Sequence, residues 1–232
     1  HHRPTHPLPP RRAPALLTAL NHIGVCALPI GATAGTERTL ELVRELRTTV
    51  MGLTPSFAVY LGELVEQLLG IKARDLGLRR ITVGGEPGGQ IPAVRKQITD
   101  IWGCPIRDVM GMGEFAGLMW AESDDEAGMH FCGQAELYVE LIDPDTCEPK
   151  PFEDGAVGEL VYTAIEREAH PLVRFRSHDH VKVQVSPTAS GRTAPRITTL
   201  GRTDDMLLVR GIHVVPTPVR AVVNSFVPRP PG

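Results

Sequence analysis

The sequence predicts an α/β fold in which a parallel sheet covered by helices leads into a smaller β-rich unit. Three observations carry this. From Ile23 to about Met110, short β-like runs alternate with helix-length amphipathic stretches, the pattern of βαβ units. After Met110 the helical period gives way to strand-like runs separated by turn-rich segments. The composition of the 232 residues, 42% apolar and 22% charged, is that of a globular chain able to bury a core.

In chain order, residues 1–15 read as a disordered leader, because HHRPTHPLPPRRAP has five prolines and no hydrophobic period. Its His1, His2 and His6 are expected to be solvated rather than metal-binding. The β-like runs of the first half are IGVCALPI, TTVMGLT, RRITVGGE and CPIRDVM. A helix is expected near Thr36–Leu46, with Leu40, Val43 and Arg47 on neighbouring turns, and another over about Ile91–Ile101. The strongest helix signal follows Thr54 as N-cap and Pro55 at the first helical position, and Gly70 closes it. Phe57, Tyr60, Leu61, Leu64, Val65, Leu68 and Leu69 form its apolar face. Phe57 and Tyr60 have two readings, core or contact with an aromatic ligand, and core is favoured. In the second half, Leu137, Val139 and Leu141 alternate with polar residues, DPDTCEPKPFEDG supplies a turn, and GELVYT (158–163) returns as the partner strand. VKVQV (181–185) and MLLVRG (206–211) continue the β-rich part, and the proline-rich FVPRPPG closes the sequence.

Charge and cysteine usage exclude several function classes. A formal net charge of −3 argues against a charge-driven nucleic-acid binder. No apolar run reaches the ~18 residues of a membrane span, and no secretory signal pattern is present, so a soluble cytoplasmic protein without membrane partners is expected. Cys26, Cys104, Cys132 and Cys147 form no CxxC pair, which fits a reducing compartment. Hydrolase and P-loop readings lose support, since no serine-nucleophile elbow, HExxH or Walker A run occurs. A Rossmann dehydrogenase fails for want of GxGxxG after the first strand.

Four glycine- and charge-bearing loops at the ends of expected strands fall where open α/β sheets place ligands: Gly84–Gly89, Met110–Glu114, Arg174–Asp179 and Gly201–Asp205. Singly, each has a bland reading beside a functional one. Gly84 and Gly85 allow close approach of a ligand ring or simply make a turn. Glu114 is an Mg²⁺-side carboxylate or a solvated loop residue. Asp179 accepts from a ribose diol or pairs with Arg174 and Arg176. His178 and His180 share a face of a regular strand, yet two histidines without a third ligand make a poor metal site.

Taken in order, GGEP, a helix, DVMGMGE, the DPDT turn with GELVYT, PLVRFRSHD and GRTDDMLLVRGIHVVP resemble the phenylacetate–CoA ligase branch of the adenylate-forming (AMP-forming) acyl–CoA ligase superfamily, over about residues 16–229. The resemblance implies a partial adenylate-forming N-terminal domain over 16–203, with the hinge to the C-terminal domain beginning at Asp204 and its truncated start over 204–232. It also implies a two-step reaction. A carboxylate attacks the α-phosphate of MgATP to give acyl-adenylate and pyrophosphate, and the thiol of coenzyme A then displaces AMP. ATP or AMP, Mg²⁺, coenzyme A and a carboxylic acid, with an aromatic acid as the family-based choice, are the expected small-molecule partners.

By the same resemblance, Gly85, Glu86 and Pro87 line the adenine pocket, Asp108 with Met110 and Gly111 continues its wall, and Asp179 holds the ribose hydroxyls. Glu114 stands near Mg²⁺ and the phosphates, Arg202 near the ribose–phosphate, and Asp204 at the hinge. The sequence departs from the family at several points. Met110 replaces an aromatic residue and Gly113 a hydroxyl, and His213 stands where Asn is common. Four positions matching the zinc ligands of many relatives are Ser123, His130, Thr188 and Ser190, so no zinc is expected. The family's phosphate loop and C-terminal lysine match no residue here, which implies a middle fragment, inactive alone but able to retain weak AMP binding. The alternative is a non-catalytic nucleotide-binding or interaction module.

Overall fold

The computed structural model describes residues 13–31, 34–204, 207–209 and 212–214. Residues 1–12, including His1, His2 and His6, lie outside this set. The elements in order are α1 (Ala13–His22), α2 (Thr36–Glu45), β1 (Val50–Leu53), α3 (Pro55–Leu69), β2 (Arg80–Gly84), α4 (Pro92–Trp102) and β3 (Ile106–Met110). Then follow β4 (Trp120–Glu122), β5 (Met129–Phe131), β6 (Leu137–Ile142), β7 (Pro149–Lys150), β8 (Val157–Ala164), β9 (Phe175–Gln184), β10 (Arg196–Arg202), β11 (Leu207–Val209) and β12 (Ile212–Val214).

Ten strands form one mixed sheet in the order β1-β2-β3-β4-β5-β10-β9-β8-β6-β7. β1, β2 and β3 run parallel, joined by α3 and α4 as crossovers. From β4 onward the pairing is antiparallel. The expected α/β class holds, and its β-rich part is a continuation of the same sheet. β11 and β12 pair separately. Among the described residues, no helix is long and apolar enough to cross a membrane.

Two apolar clusters underlie the sheet. One packs α2, α3 and α4 on β1–β3 around Leu40, Leu61, Ile81, Ile98 and Trp102. The other lies under the antiparallel strands around Met119, Trp120, Leu160, Tyr162 and Val181. The indole N–H of Trp102 donates to Ala58 O at 2.8 Å, and that of Trp120 donates to the Tyr162 hydroxyl at 2.7 Å, so both buried rings have their polar atoms satisfied.

α3 begins and ends as expected: Thr54 accepts from Phe57 N–H, Pro55 occupies the first turn, and Gly70 takes the left-handed conformation that stops the helix. Its buried stripe, however, runs through Ala58, Leu61, Gly62 and Val65. Phe57 packs partly buried against the core as expected, but Tyr60 and Leu68 are exposed, which corrects the expectation that they sit in the core. Small Ala58 and Gly62 let α4 approach there, turning the contact face away from the larger residues. IGVCALPI is also corrected, because Ile23–Ile30 forms no strand and Ile23, Val25 and Leu28 are exposed. Gly24 turns the chain after α1, and Pro29 has no N–H to give to a ladder.

Candidate nucleotide-binding cleft

β10 pairs with β5 only at Arg196 and Ile197 but stays paired with β9 as far as Arg202. A cleft of about 420 Å³ opens beside this divergence, walled by the β2–α4 turn, the loop after β3, and parts of β9 and β10. Gly85, Glu86, Pro87, Asp108, Met110, Gly111, Glu114, Asp179 and Arg202 all line it. Four segments far apart in sequence are thus brought to one place. Asp204 does not line the cleft but holds Arg202, accepting from Nε at 2.8 Å and Nη2 at 2.6 Å. Phe57 and Tyr60 are not among the lining residues.

The β2–α4 turn is anchored at both ends. Glu86 Oε1 accepts from the Ser56 N–H at 2.6 Å, at the N-terminus of α3, where a carboxylate also meets the helix dipole. Gly89 abuts the Asp108 carboxyl group so closely that a Cβ there would overlap it. Asp108 is 7% exposed. Burial pushes its pKa up to about 7, helped by the charge of Glu122 and opposed by Arg95 and the hydrogen bond from Val109 N–H. Glu122 accepts from Arg95 Nη2 at 2.5 Å and from Asp108 N–H at 3.0 Å.

The loop after β3 folds back on itself, with Met119 N–H donating to Met110 O at 2.8 Å and Met112 N–H to Ala116 O at 2.9 Å. Gly111 faces the Gly117 carbonyl with no room for a Cβ. Met110 and Met112 pack on the second core cluster. Arg167 clamps this loop from the β8–β9 connection: its guanidinium donates to the Glu114 and Phe115 carbonyls and lies 5.8 Å from the Phe115 ring. Arg167→Ala is therefore expected to leave the stability of the chain within about 1 kcal/mol of wild type while speeding amide exchange across 111–117, read by hydrogen–deuterium exchange.

Arg174–Asp179, expected as a loop, belongs largely to β9, whose pairing with β8 shifts register here. His178 sits at φ +61°, so regular alternation fails: His178 lines the cleft and His180 does not. Beneath this irregular stretch is Glu159, fully buried on β8. It accepts from Arg176 Nε and Nη2 at 2.9 and 2.6 Å, from Thr203 Oγ1 at 3.0 Å and from His178 N–H at 3.3 Å. Burial favours its neutral form, but these donors outweigh burial and hold its pKa below the ordinary value. Asp179 is pushed up to about 6 by burial, against the opposing charge of Arg202 and a hydrogen bond with Ser177. Arg202 Nη1 stands 3.7 Å from Asp179. Asp179 and Arg202 thus set a half-buried carboxyl beside a guanidinium at one wall, able to accept from a hydroxyl or amine donor and to face an anion, while Glu159 outside the lining is engaged by its own donors.

Glu159, Arg167 and Gln90 were not singled out by sequence. Glu159 had one weak signal, a charge inside the otherwise apolar strand GELVYT.

Ser123, His130, Thr188 and Ser190 also converge, outside the cleft. Ser123 Oγ donates to Asp125 Oδ1 at 2.6 Å, Ser190 N–H donates to Asp125 Oδ2 at 3.2 Å, and Thr188 and Ser190 share a hydrogen bond at 2.7 Å. His130 Nε2 lies 3.5 Å from Ser190 Oγ. The Ser123 hydroxyl first, with the other donors, holds the Asp125 pKa well below the carboxylate range. Three hydroxyls and one imidazole without a thiolate do not fit Zn²⁺, and here they bind one another. Among the described residues, no group of three or more His, Cys, Asp or Glu is placed to hold a metal ion.

Comparison with known proteins bears on the family and the fold. Residues 14–164 match the family model described as AMP-binding enzyme. The chain is 34% identical over 207 residues to a phenylacetate-coenzyme A ligase of Thermus thermophilus, and 30% identical over 208 residues to that of Escherichia coli. Each alignment covers 88% of this chain and 45% of the relative, so the chain spans less than half the length of these proteins. Among solved structures, a 2-hydroxyisobutyryl-CoA ligase in the postadenylation state, bound to an acyl-AMP, superposes with TM-score 0.80 at 29% identity. The match covers 90% of this chain and 45% of that one. An open conformation of 2-hydroxyisobutyryl-CoA ligase, in complex with 2-HIB-AMP and CoA, gives 0.77. An anthranilate CoA ligase, 18% identical with TM-score 0.58, shares the fold.

Proposed function

The chain belongs to the AMP-binding enzyme family, and from that premise we propose that its cleft holds the adenylate of an AMP-forming carboxylic acid–CoA ligase. The carrying observation is the convergence of all four segments on one cleft. In this reading the β2–α4 turn, Asp108, Met110 and Gly111 surround adenine, and Asp179 accepts from the ribose diol. Arg202, held by Asp204, faces the ribose–phosphate, and Glu114 stands on the side of the Mg²⁺ that enters with ATP. A donor preset by carboxylates stabilises charge that develops on phosphate without reorganising during the reaction. The acid's carboxylate oxygen bonds to the α-phosphorus as pyrophosphate leaves, and the coenzyme A sulfur then bonds to the acyl carbon as AMP leaves. An aryl or related acid is the proposed substrate, supported by the similarity to phenylacetate-coenzyme A ligases.

The test is calorimetric titration of the folded chain with AMP and with a non-hydrolysable phenylacetyl-adenylate analogue. Both are expected to bind, the analogue more tightly because it adds acyl contacts. No heat with either ligand overturns the reading. Met110 and Gly113, which leave the loop without aromatic ring or hydroxyl, favour a second reading as a non-catalytic nucleotide-binding module. Acid-dependent ATP–pyrophosphate exchange, measured on a longer product that carries the family's phosphate loop and lysine, separates the two: exchange supports the ligase and its absence the non-catalytic module.

A further inference from the structure

Gln90 closes the β2–α4 turn and lines the cleft together with Asp108. Its Oε1 accepts from the Thr199 backbone N–H at 2.9 Å, on the stretch of β10 beyond the last residue paired with β5. This bond fixes the amide, because exchanging its oxygen and nitrogen would set two donors face to face. Nε2 is therefore turned away from Thr199. It is buried and meets no acceptor among the described residues. Gln90 also borders a smaller hollow of about 280 Å³, but the Glu122 carboxylate there is already engaged by Arg95 and Asp108 N–H. A fixed, buried donor with no acceptor among the described residues marks a place for a ligand acceptor.

Gly89, the residue before Gln90, abuts the Asp108 carboxyl, and Gln90 and Asp108 both line the cleft, so an acceptor and an oriented donor belong to the same part of its lining. Adenine presents the complementary pair on adjacent atoms, the N6 amine as donor and ring N1 as acceptor. Hypoxanthine and guanine present O6 as acceptor and N1–H as donor, mismatched at both positions. We propose that the Gln90 side-chain N–H donates to adenine N1 while Asp108 faces the N6 amine, making Gln90 a specificity-determining residue for adenine. This rests on the nucleotide reading of the cleft.

Dissociation constants for AMP, IMP and 1-deaza-AMP, in which a C–H replaces N1, test it by calorimetry. Wild type is expected to bind AMP at least tenfold more tightly than either analogue. Gln90→Glu keeps an acceptor for Thr199 N–H but turns an oxygen toward N1. It should weaken AMP at least tenfold and narrow the gap between AMP and IMP, whereas Gln90→Met should bind AMP and 1-deaza-AMP alike. On the wild-type chain, the ¹⁵N-detected Gln90 side-chain amide should shift with AMP and not with 1-deaza-AMP, a readout independent of any variant's folding. Equal wild-type affinity for AMP and 1-deaza-AMP overturns the role of Gln90 alone. No AMP binding overturns the nucleotide site and this inference with it.

Discussion

Glu159→Gln is expected to destabilise the chain by about 3 kcal/mol and to abolish measurable AMP binding. The Glu159 carboxylate is fully buried and accepts from Arg176, Thr203 and His178. The amide has nearly the same shape, but it carries no charge and turns an NH₂ toward one of these donors. Removing one partner of a buried ion pair costs roughly 3–5 kcal/mol, and the low end applies because Arg176 is 36% exposed and regains some hydration. Thr203 and His178 adjoin Arg202 and Asp179, so losing the hub also loosens the wall that faces the ribose and phosphate. Because the folded state holds the Glu159 pKa below its ordinary 4.5, this stability is present above pH ~4.5 and is lost as pH falls through the folded value. Urea midpoints at pH 7 and pH 4 check both statements, and the gap between variant and wild type should shrink at the lower pH. A variant within 0.5 kcal/mol of wild type at pH 7 (roughly the scatter of surface changes) would show that Glu159 holds nothing together.

The legible parts of the fold were those fixed by local chemistry. Thr54-Pro55 and Gly70 mark the ends of α3 because a cap, a ring-locked φ and a left-handed stop act within one turn. The parallel strands were legible as compact apolar runs. β4 and β5 were not, since three residues are too few to show a period and their pairing is set by partners far along the chain. β9 is not legible as one strand because its irregularity at His178 breaks the alternation. Tyr60 was misplaced because helical periodicity gives an apolar face but not which part of it the neighbouring helix covers. In the cleft, residues carried by motifs were found, while Gln90 and Glu159 were not. Their roles depend on Thr199, Arg176 and Thr203, partners 17 to 109 residues away that no local pattern exposes.

Asp108→Asn is expected to make the chain more stable at pH 8, by about 3 kcal/mol, and to remove a pH step in AMP affinity. A carboxyl whose pKa is raised from 3.8 to about 7 on folding contributes stability that is fully present below pH ~3.8 and lost as pH rises through about 7. Above that pH the folded chain carries a buried anion near Glu122, and the neutral amide removes this burden. At pH 4 the advantage should vanish, since both forms are then neutral. Adenine's N6 amine needs an acceptor, so the ionised form of Asp108 binds it better. Wild-type affinity for AMP should accordingly rise about tenfold from pH 6 to pH 8, as the ionised fraction grows through the transition. The second ionisation of the AMP phosphate lies in the same range but affects wild type and variant equally, so the ratio of their affinities isolates Asp108. A ratio that stays flat across this range would place the adenine amine away from Asp108, even if the stability difference is found.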